Sequence, residues 1–385
     1  MPNRRRVKRA HSEKRQTYGG IKIQAIKRIV FSDCEGPISK NDNAYELSVH
    51  FIPDGDKLFA NISKYDDVLA DVLHKPGYTS GSTLKLILPF FKAYNVTDEQ
   101  MENYSAQNIL LLPQTQETLR FIQEYAEVFI VSTSYEHYIK ALCKAINFPE
   151  DHTYCTKVKL DNYPITPEET TQLKALAAEI AKMNLLEIPS NAKSLSDFSS
   201  TYQAEIKRLN YIFWEEIPKM SIGKLLSDVV TIGGELKAAA IRDATARLGV
   251  KISEVMYIGD SITDVEAFKL VRGFGGLAVS FNGNSYAVRN ADVAVMADGN
   301  LVTAVLADRF CRLGKAQALK VLSHWVKSAV QESGVSIDLL KRLYAIYPGA
   351  LPRVELVSLR NVDELIKESA EFRKNVRGVA IGRLG

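Results

Sequence analysis

Four short apolar runs, each closing on a carboxylate or a hydroxyl, leave this chain few ways to fold. Ile26 to Phe31 runs into Ser32-Asp33-Cys34-Glu35-Gly36-Pro37, and Val128 to Val131 runs into Ser132-Thr133-Ser134. Glu254 to Ile258 ends at Gly259-Asp260-Ser261, and Asp292 to Met296 ends near Asp298-Gly299. Runs of this length, rich in β-branched residues and stopped by glycine, proline or small polar residues, read as buried strands. Between them lie segments of helical periodicity: Gln114 to Tyr125, Tyr135 to Ile146, Glu235 to Leu248 stopped by Gly249, and Asp264 to Val271 stopped by Gly273. Strands alternating with helices predict a doubly wound, Rossmann-like parallel sheet with right-handed crossovers. Ligands of such sheets sit outside the carboxyl ends of the strands, which is where all these polar groups would gather.

Two stretches break the alternation. Residues 38–112 are mostly helical in pattern, including Lys57 to His74 and Thr83 to Tyr94. Residues 153–233 begin with the strand-like Tyr154 to Leu160 and continue through helical patterns at Pro167 to Met183 and Ser196 to Phe213. Both read as cap-like insertions, which divide the chain into an α/β core (25–37, 113–152 and 234–311), a helical cap (38–112) and a second insertion (153–233). A basic arm (1–24) precedes the core, and a helical C-terminal extension (312–385) with a break at Pro348 to Pro352 follows it. With 385 residues, more than one structural unit is expected.

Composition narrows the function. An apolar share of 46% and a charged share of 24% describe an ordinary globular chain, and no apolar run approaches the ~20 residues of a membrane span. The arm through Gln16 carries Arg4, Arg5, Arg6, Lys8, Arg9, Lys14 and Arg15 against Glu13, a net of +6, whereas the chain totals 49 − 45 = +4. The remaining body is therefore slightly acidic, at 4 − 6 = −2. That balance, without aromatic residues interleaved among basic ones, argues against nucleic acid, although the arm leaves room for a protein partner. No apolar segment follows the arm, as a secretory signal would require. Cys34, Cys143, Cys155 and Cys311 show no paired spacing, and the six histidines form no cluster, which speaks against zinc and against a disulfide framework. A cytoplasmic protein is expected.

The strand-end residues suggest chemistry. Asp33 and Glu35 are one residue apart after a strand. One carboxylate there can attack a phosphoryl group, and a second acid two positions on can protonate the leaving oxygen and then activate water. Ser132 and Thr133 can hold phosphate oxygens, or simply cap the next helix. Lys237 in a first helical turn opposes the helix dipole unless an anion lies nearby. Asp260 and Asp264, four residues apart across a turn, can face one hard cation; Asp264 can equally cap the helix it opens.

In this order the four signals resemble the four motifs of the haloacid dehalogenase-like (HAD) superfamily, most closely its phosphoserine phosphatase-like branch, over Lys27 to Arg309. The resemblance implies Asp33 as nucleophile and Glu35 as acid/base. It implies Ser132, Thr133 and Lys237 as phosphate-binding groups, and magnesium held by Asp33, Glu35 through its backbone carbonyl, Asp260 and, directly or through a neighbour, Asp264. The implied activity is Mg2+-dependent hydrolysis of a small phosphomonoester through an aspartyl-phosphate, with the insertions as lids. The superfamily usually has Asp where this chain has Glu35, and the added methylene shifts the carboxyl by more than the ~1 Å that can cost ~100-fold in rate. Two alternatives follow. One is a catalytically weak accessory or regulatory protein, since the Asp33-Cys34-Glu35-Gly36-Pro37-Ile38 stretch looks like that of an archaeal group associated by name with energy-converting hydrogenase. The other is a phosphotransferase passing the phosphoryl group to an acceptor other than water.

Overall fold

The computed structural model describes residues 27–189 and 191–378. The basic arm at 1–24 lies outside the described residues. The core is a seven-stranded sheet in the order β3-β2-β1-β4-β5-β6-β7. Its strands are β1 (Ile29–Ser32), β2 (Glu127–Tyr135), β3 (Thr153–Thr156), β4 (Val255–Gly259), β5 (Leu277–Phe281), β6 (Val293–Met296) and β7 (Arg353–Leu356). The first six run parallel; β7 pairs antiparallel with β6 and closes that edge.

The chain leaves β1 for β2 and β3 on one side, then returns to place β4 on the other. Neighbouring strands thus diverge at β1 and β4, and a crevice opens at their carboxyl ends. Register carries this into detail: Ser32 stands opposite both Ile130 and Ile258, and the Asp33 N–H donates to Ile258 O at 2.8 Å.

Strand residues alternate between two apolar layers, as a period of two requires. Ile29 and Phe31 face α10 (Glu235–Leu248) and α11 (Val265–Gly273), packing on Ile241, Ala244 and Phe268. Val30 faces the opposite layer with Leu119 of α5 (Thr115–Gln123), Leu142 of α6 (Glu136–Ile146) and Phe310 of α13 (Leu301–Leu313). Helices on both faces make this an α/β doubly wound fold, as the strand-helix alternation predicts.

The two insertions share one apolar cluster. The first holds α1 (Asn43–Phe51), α2 (Gly55–Asp67), α3 (Thr83–Ala93) and α4 (Asp98–Gln107); the second holds α7 (Pro167–Ala181), α8 (Ser200–Tyr211) and α9 (Lys224–Asp228). Leu58, Ile62 and Phe90 from the first pack with Leu173, Ile180 and Phe213 from the second. Polar bonds fasten the pair: Asn61 Nδ2 donates to Ile180 O at 2.8 Å, and the Asp98 carboxylate accepts the N–H groups of Leu160 and Asp161. The insertions are therefore one helical body. β3, read at the start of the second insertion, is an edge strand of the core beside β2.

The C-terminal segment carries α14 (Lys315–Leu322), α15 (Lys327–Glu332), α16 (Ile337–Ile346) and α17 (Val362–Arg377). It is helical as expected, except for β7. Its last helix crosses the carboxyl edge of the sheet, packing Val362 and Leu365 on Ala294, Met296 and Val288 of α12 (Ser285–Asn290). Among the described residues no helix is long and apolar enough to cross a membrane.

Candidate active site

Asp33 follows β1 directly and is almost wholly buried. Its Oδ1 accepts the Cys34 N–H at 2.6 Å, and its Oδ2 accepts from Lys237 Nζ at 2.6 Å. Lys237 comes from the first turn of α10 and is 0% exposed, and the anions that its place against the helix dipole calls for are there. Its Nζ also donates to Asp264 Oδ1 at 2.7 Å. One cation thus bridges two carboxylates inside the protein, and their combined pull keeps its pKa raised although burial acts against the charge. Burial is the largest influence on Asp33 and outweighs Lys237: with added repulsion from Asp264 and Asp260, its carboxyl is pushed up to about 8.

Asp264 uses both oxygens. Oδ1 accepts from Lys237 and from the Tyr257 hydroxyl at 2.7 Å; Oδ2 accepts the Asp260 and Ser261 N–H groups at 2.9 and 3.0 Å. Asp264 is fully buried, yet Lys237 first and then these donors hold its pKa below the usual value. It therefore caps its own turn and orients Lys237 at once. Tyr257 sits in β4 with no local sign of this role in the sequence.

Asp33, Asp260 and Asp264 offer carboxylate oxygens within 4.8 Å of one another, all buried. Such a hard, all-oxygen set fits magnesium, which takes carboxylates and water rather than nitrogen or sulfur. Gly36 allows the close approach: its φ is +110°, and a Cβ there would lie 2.3 Å from Asp260 Oδ2.

Glu35 is turned elsewhere. Its Oε1 accepts the Asn43 N–H at 2.7 Å, at the start of α1, where Asp42 is the N-cap. Burial, then repulsion from Asp42, raises its pKa well above the usual carboxyl range. β2 runs on to Tyr135, past the end at Val131 that the sequence suggests, so Ser132 lies within the strand; its Oγ is 2.9 Å from Ser134 Oγ and accepts the Ser134 N–H at 3.2 Å. Thr133 Oγ1 donates to Ile232 O at 3.0 Å.

The helical body closes over this floor at Ser80 and Gly81. A Cβ on Gly81 would meet Thr133 Cγ2 at 2.8 Å and Thr263 Cγ2 at 3.1 Å, and the residue has φ +85°. Asp66 of α2 holds that turn: its Oδ2 accepts the N–H groups of Gly81 and Thr83, at 2.9 and 3.1 Å, and the Thr83 hydroxyl at 2.9 Å.

Besides Tyr257, sequence reasoning missed two more residues. Arg373 and Arg377 of α17, four apart on one helix face, reach back to Asp260. Arg373 Nη1 donates to Asp260 Oδ2, and Arg377 Nη1 donates to the same oxygen at 3.2 Å. Arg377 also donates to the backbone carbonyls of Lys40, at 3.1 Å, and Asn41. Their (i, i+4) spacing near a helix end is the sole local signal, and many surface arginines share it.

The chain belongs to the haloacid dehalogenase-like hydrolase family, which residues 74–308 match. That span contains Ser132, Lys237, Asp260 and Asp264 but neither Asp33 nor α17. A gene product of Archaeoglobus fulgidus has a similar structure, at 26% identity and a TM-score of 0.74, covering 93% of this chain and 99% of its own. A phosphoserine phosphatase in apo form aligns at 12% identity and a TM-score of 0.39, covering 71% of this chain and 95% of its own. A substrate-bound phosphoserine phosphatase complex aligns at 12% and 0.40, covering 71% and 94%. A search of curated proteins found no match.

Proposed function

We propose that this protein hydrolyses a small phosphomonoester in a magnesium-dependent reaction, with Asp33 carrying the phosphoryl group between two in-line steps. One observation supports it above the rest: Lys237, fully buried, bridges Asp33 and Asp264 beside Asp260 at the carboxyl ends of β1 and β4. Phosphoryl transfer demands positioning and charge neutralisation, and a buried cation fixed on a carboxylate nucleophile serves both.

Asp33 attacks phosphorus as the carboxylate, the form that Lys237 and a bound cation would favour against the effect of burial. Lys237 and Ser132, with Thr133 beside it, take the equatorial oxygens, while Asp264 keeps Lys237 aimed. Glu35, held toward its protonated form by burial, would have to swing from the Asn43 N–H toward the leaving oxygen to give it a proton, and afterwards takes one from water. Asp33 and Asp260, with the Glu35 carbonyl, would hold magnesium, which when bound neutralises charge on the transferred group. The helical body acts as the lid; its Gly81 turn, close on Thr133, favours a small phosphorylated metabolite over a phosphoprotein. The cytoplasm remains the expected compartment. The narrower affinity to the archaeal DCEGPI group is part of this reading, supported by the similarity to the Archaeoglobus fulgidus gene product along almost the whole chain.

A second reading, a weakly catalytic accessory protein, is favoured by the pairing of Asp260 with Arg373 and Arg377. Phosphate release from a panel of small phosphomonoesters, with and without magnesium and with Asp33→Asn as blank, separates the two. Metal-dependent release that vanishes in Asp33→Asn supports the hydrolase. Release no higher than the blank from folded protein supports the accessory role.

A further inference from the structure

We propose that the last turns of α17 compete with the divalent cation for Asp260, so that this chain carries its own regulator of metal occupancy. The inference rests on the reading that Asp260 is a metal ligand. Two guanidinium groups converge on one buried carboxylate oxygen, Asp260 Oδ2, from a helix that lies beyond the family match. Arg373 and Asp260 are both buried. With Lys237, the two arginines place three cations against the three carboxylates of Asp33, Asp260 and Asp264. Asp260 is then paired with cationic groups with no metal at all. A divalent cation on Asp260 adds two positive charges against those guanidinium groups in a water-poor setting, where repulsion is poorly screened. The low-energy way to admit it is for the arginines to withdraw.

Three features make withdrawal local. The first turns of α17 are anchored by the buried Val362 and Leu365, and Ser369 Oγ donates to Gly283 O at 2.6 Å; beyond them the apolar packing of the Arg373 and Arg377 turns comes from the partly buried Phe372 and Val376. Arg373 Nε is buried yet has no partner among the described residues, so the docked guanidinium is incompletely satisfied. Arg377 holds the carbonyls of Lys40 and Asn41 in the loop that leads from Asp33 to α1 and the lid. Releasing the arginines for the metal therefore also frees the base of the lid, linking metal entry to substrate access.

The test is titration of the full chain with Mn2+ followed by electron paramagnetic resonance, with calorimetry for Mg2+, on wild type, Arg377→Gln and Arg373→Gln/Arg377→Gln. Competition predicts at least tenfold tighter binding in the double variant and an intermediate value for Arg377→Gln. Hydrogen exchange on the wild type needs no substitution: Mg2+ should speed amide exchange in residues 371–377 while leaving 362–368 unchanged. Wild type that binds metal with slowed or unaltered exchange at 371–377, or a folded variant that binds no tighter, overturns the competition but leaves the phosphatase reading standing. If no protein binds either metal, both fall.

Discussion

Replacing Lys237 with methionine tests the electrostatic account of the site most directly. Methionine retains an unbranched apolar stem and removes only the charge and its donors. Wild-type Lys237 stands 2.6 Å from Asp33 and 2.7 Å from Asp264, and at an effective dielectric constant of ~20 each pair attracts by about 6 kcal/mol. Burying the ammonium costs several kcal/mol, and Tyr257 with two backbone N–H groups continues to support Asp264 after the change. The net loss should then fall in the range of breaking a buried pair, about 3–5 kcal/mol at pH 8. The sign with pH follows from the two acids. Asp33 is raised to about 8 in the folded protein, so its pair with Lys237 carries full charge only near and above that pH and weakens as the pH falls toward 4.5; the Asp264 pKa is lowered, so its pair persists at pH 4.5 and fades only below the unfolded value of 3.8. In the variant, any stranded carboxylate escapes its penalty by taking a proton, more easily at low pH. Urea unfolding followed by the fluorescence of Trp214 and Trp325 should therefore show a gap of about 3–5 kcal/mol at pH 8, less than half of that at pH 4.5. A gap as large at pH 4.5 as at pH 8 would refute the argument, since an uncompensated buried charge could not be its origin.

Gly36→Ala should cost about 1–3 kcal/mol in stability, since a Cβ at φ +110° would overlap Asp260 Oδ2, and should weaken Mn2+ binding in the same titration; an unchanged unfolding midpoint would contradict the packing. Burial pushes the Asp66 carboxyl up to about 6 from 3.8, so it contributes stability at low pH that is lost as pH rises from about 4 to 6. Asp66→Asn keeps an acceptor for the Gly81 turn and removes that slope, so its stability relative to wild type should improve by about 3 kcal/mol between pH 3.5 and 7, at ~1.4 kcal/mol per unit; a difference independent of pH would rule this out. Glu35→Gln keeps an acceptor for the Asn43 N–H but has no proton to give. Phosphate release should fall about 10²–10⁴-fold with less than ~1 kcal/mol change in folding, whereas a large loss of stability with unimpaired turnover would make Glu35 a helix support alone.

Local pattern was enough to find the strand ends. β1, β4 and β6 are apolar runs cut off by a turn former, and the residues at or just past the strand ends, among them Asp33 and Asp260, with Ser132 near the end of β2, are forced into the crevice because parallel strands deliver their carboxyl ends to one side. Lys237 was visible as a cation in an unfavourable first helical turn. β5 went unrecognised because a short, mostly apolar run such as Leu277–Phe281 looks the same in a strand and in a buried helix. β7 lies where proline-rich sequence suggests only a break, and it forms because the exposed edge of β6 supplies its hydrogen bonds.

Pairing across long chain separations belongs to the tertiary structure. Helical periodicity says that a segment has an apolar stripe and not which stripe it meets, so two insertions that read as separate caps close on one shared cluster. Glu35 sits at the acid/base position by sequence, yet its side chain bonds to the first turn of α1 because a buried carboxylate takes the nearest N–H the fold provides. Arg373 meets Asp260 across 113 residues, and nothing along the chain encodes that encounter. It depends on β7 extending the sheet and turning α17 back over the strand ends. Charge finds its partner there through space, because two opposite charges left apart in so dry a crevice would cost more than the fold could bear.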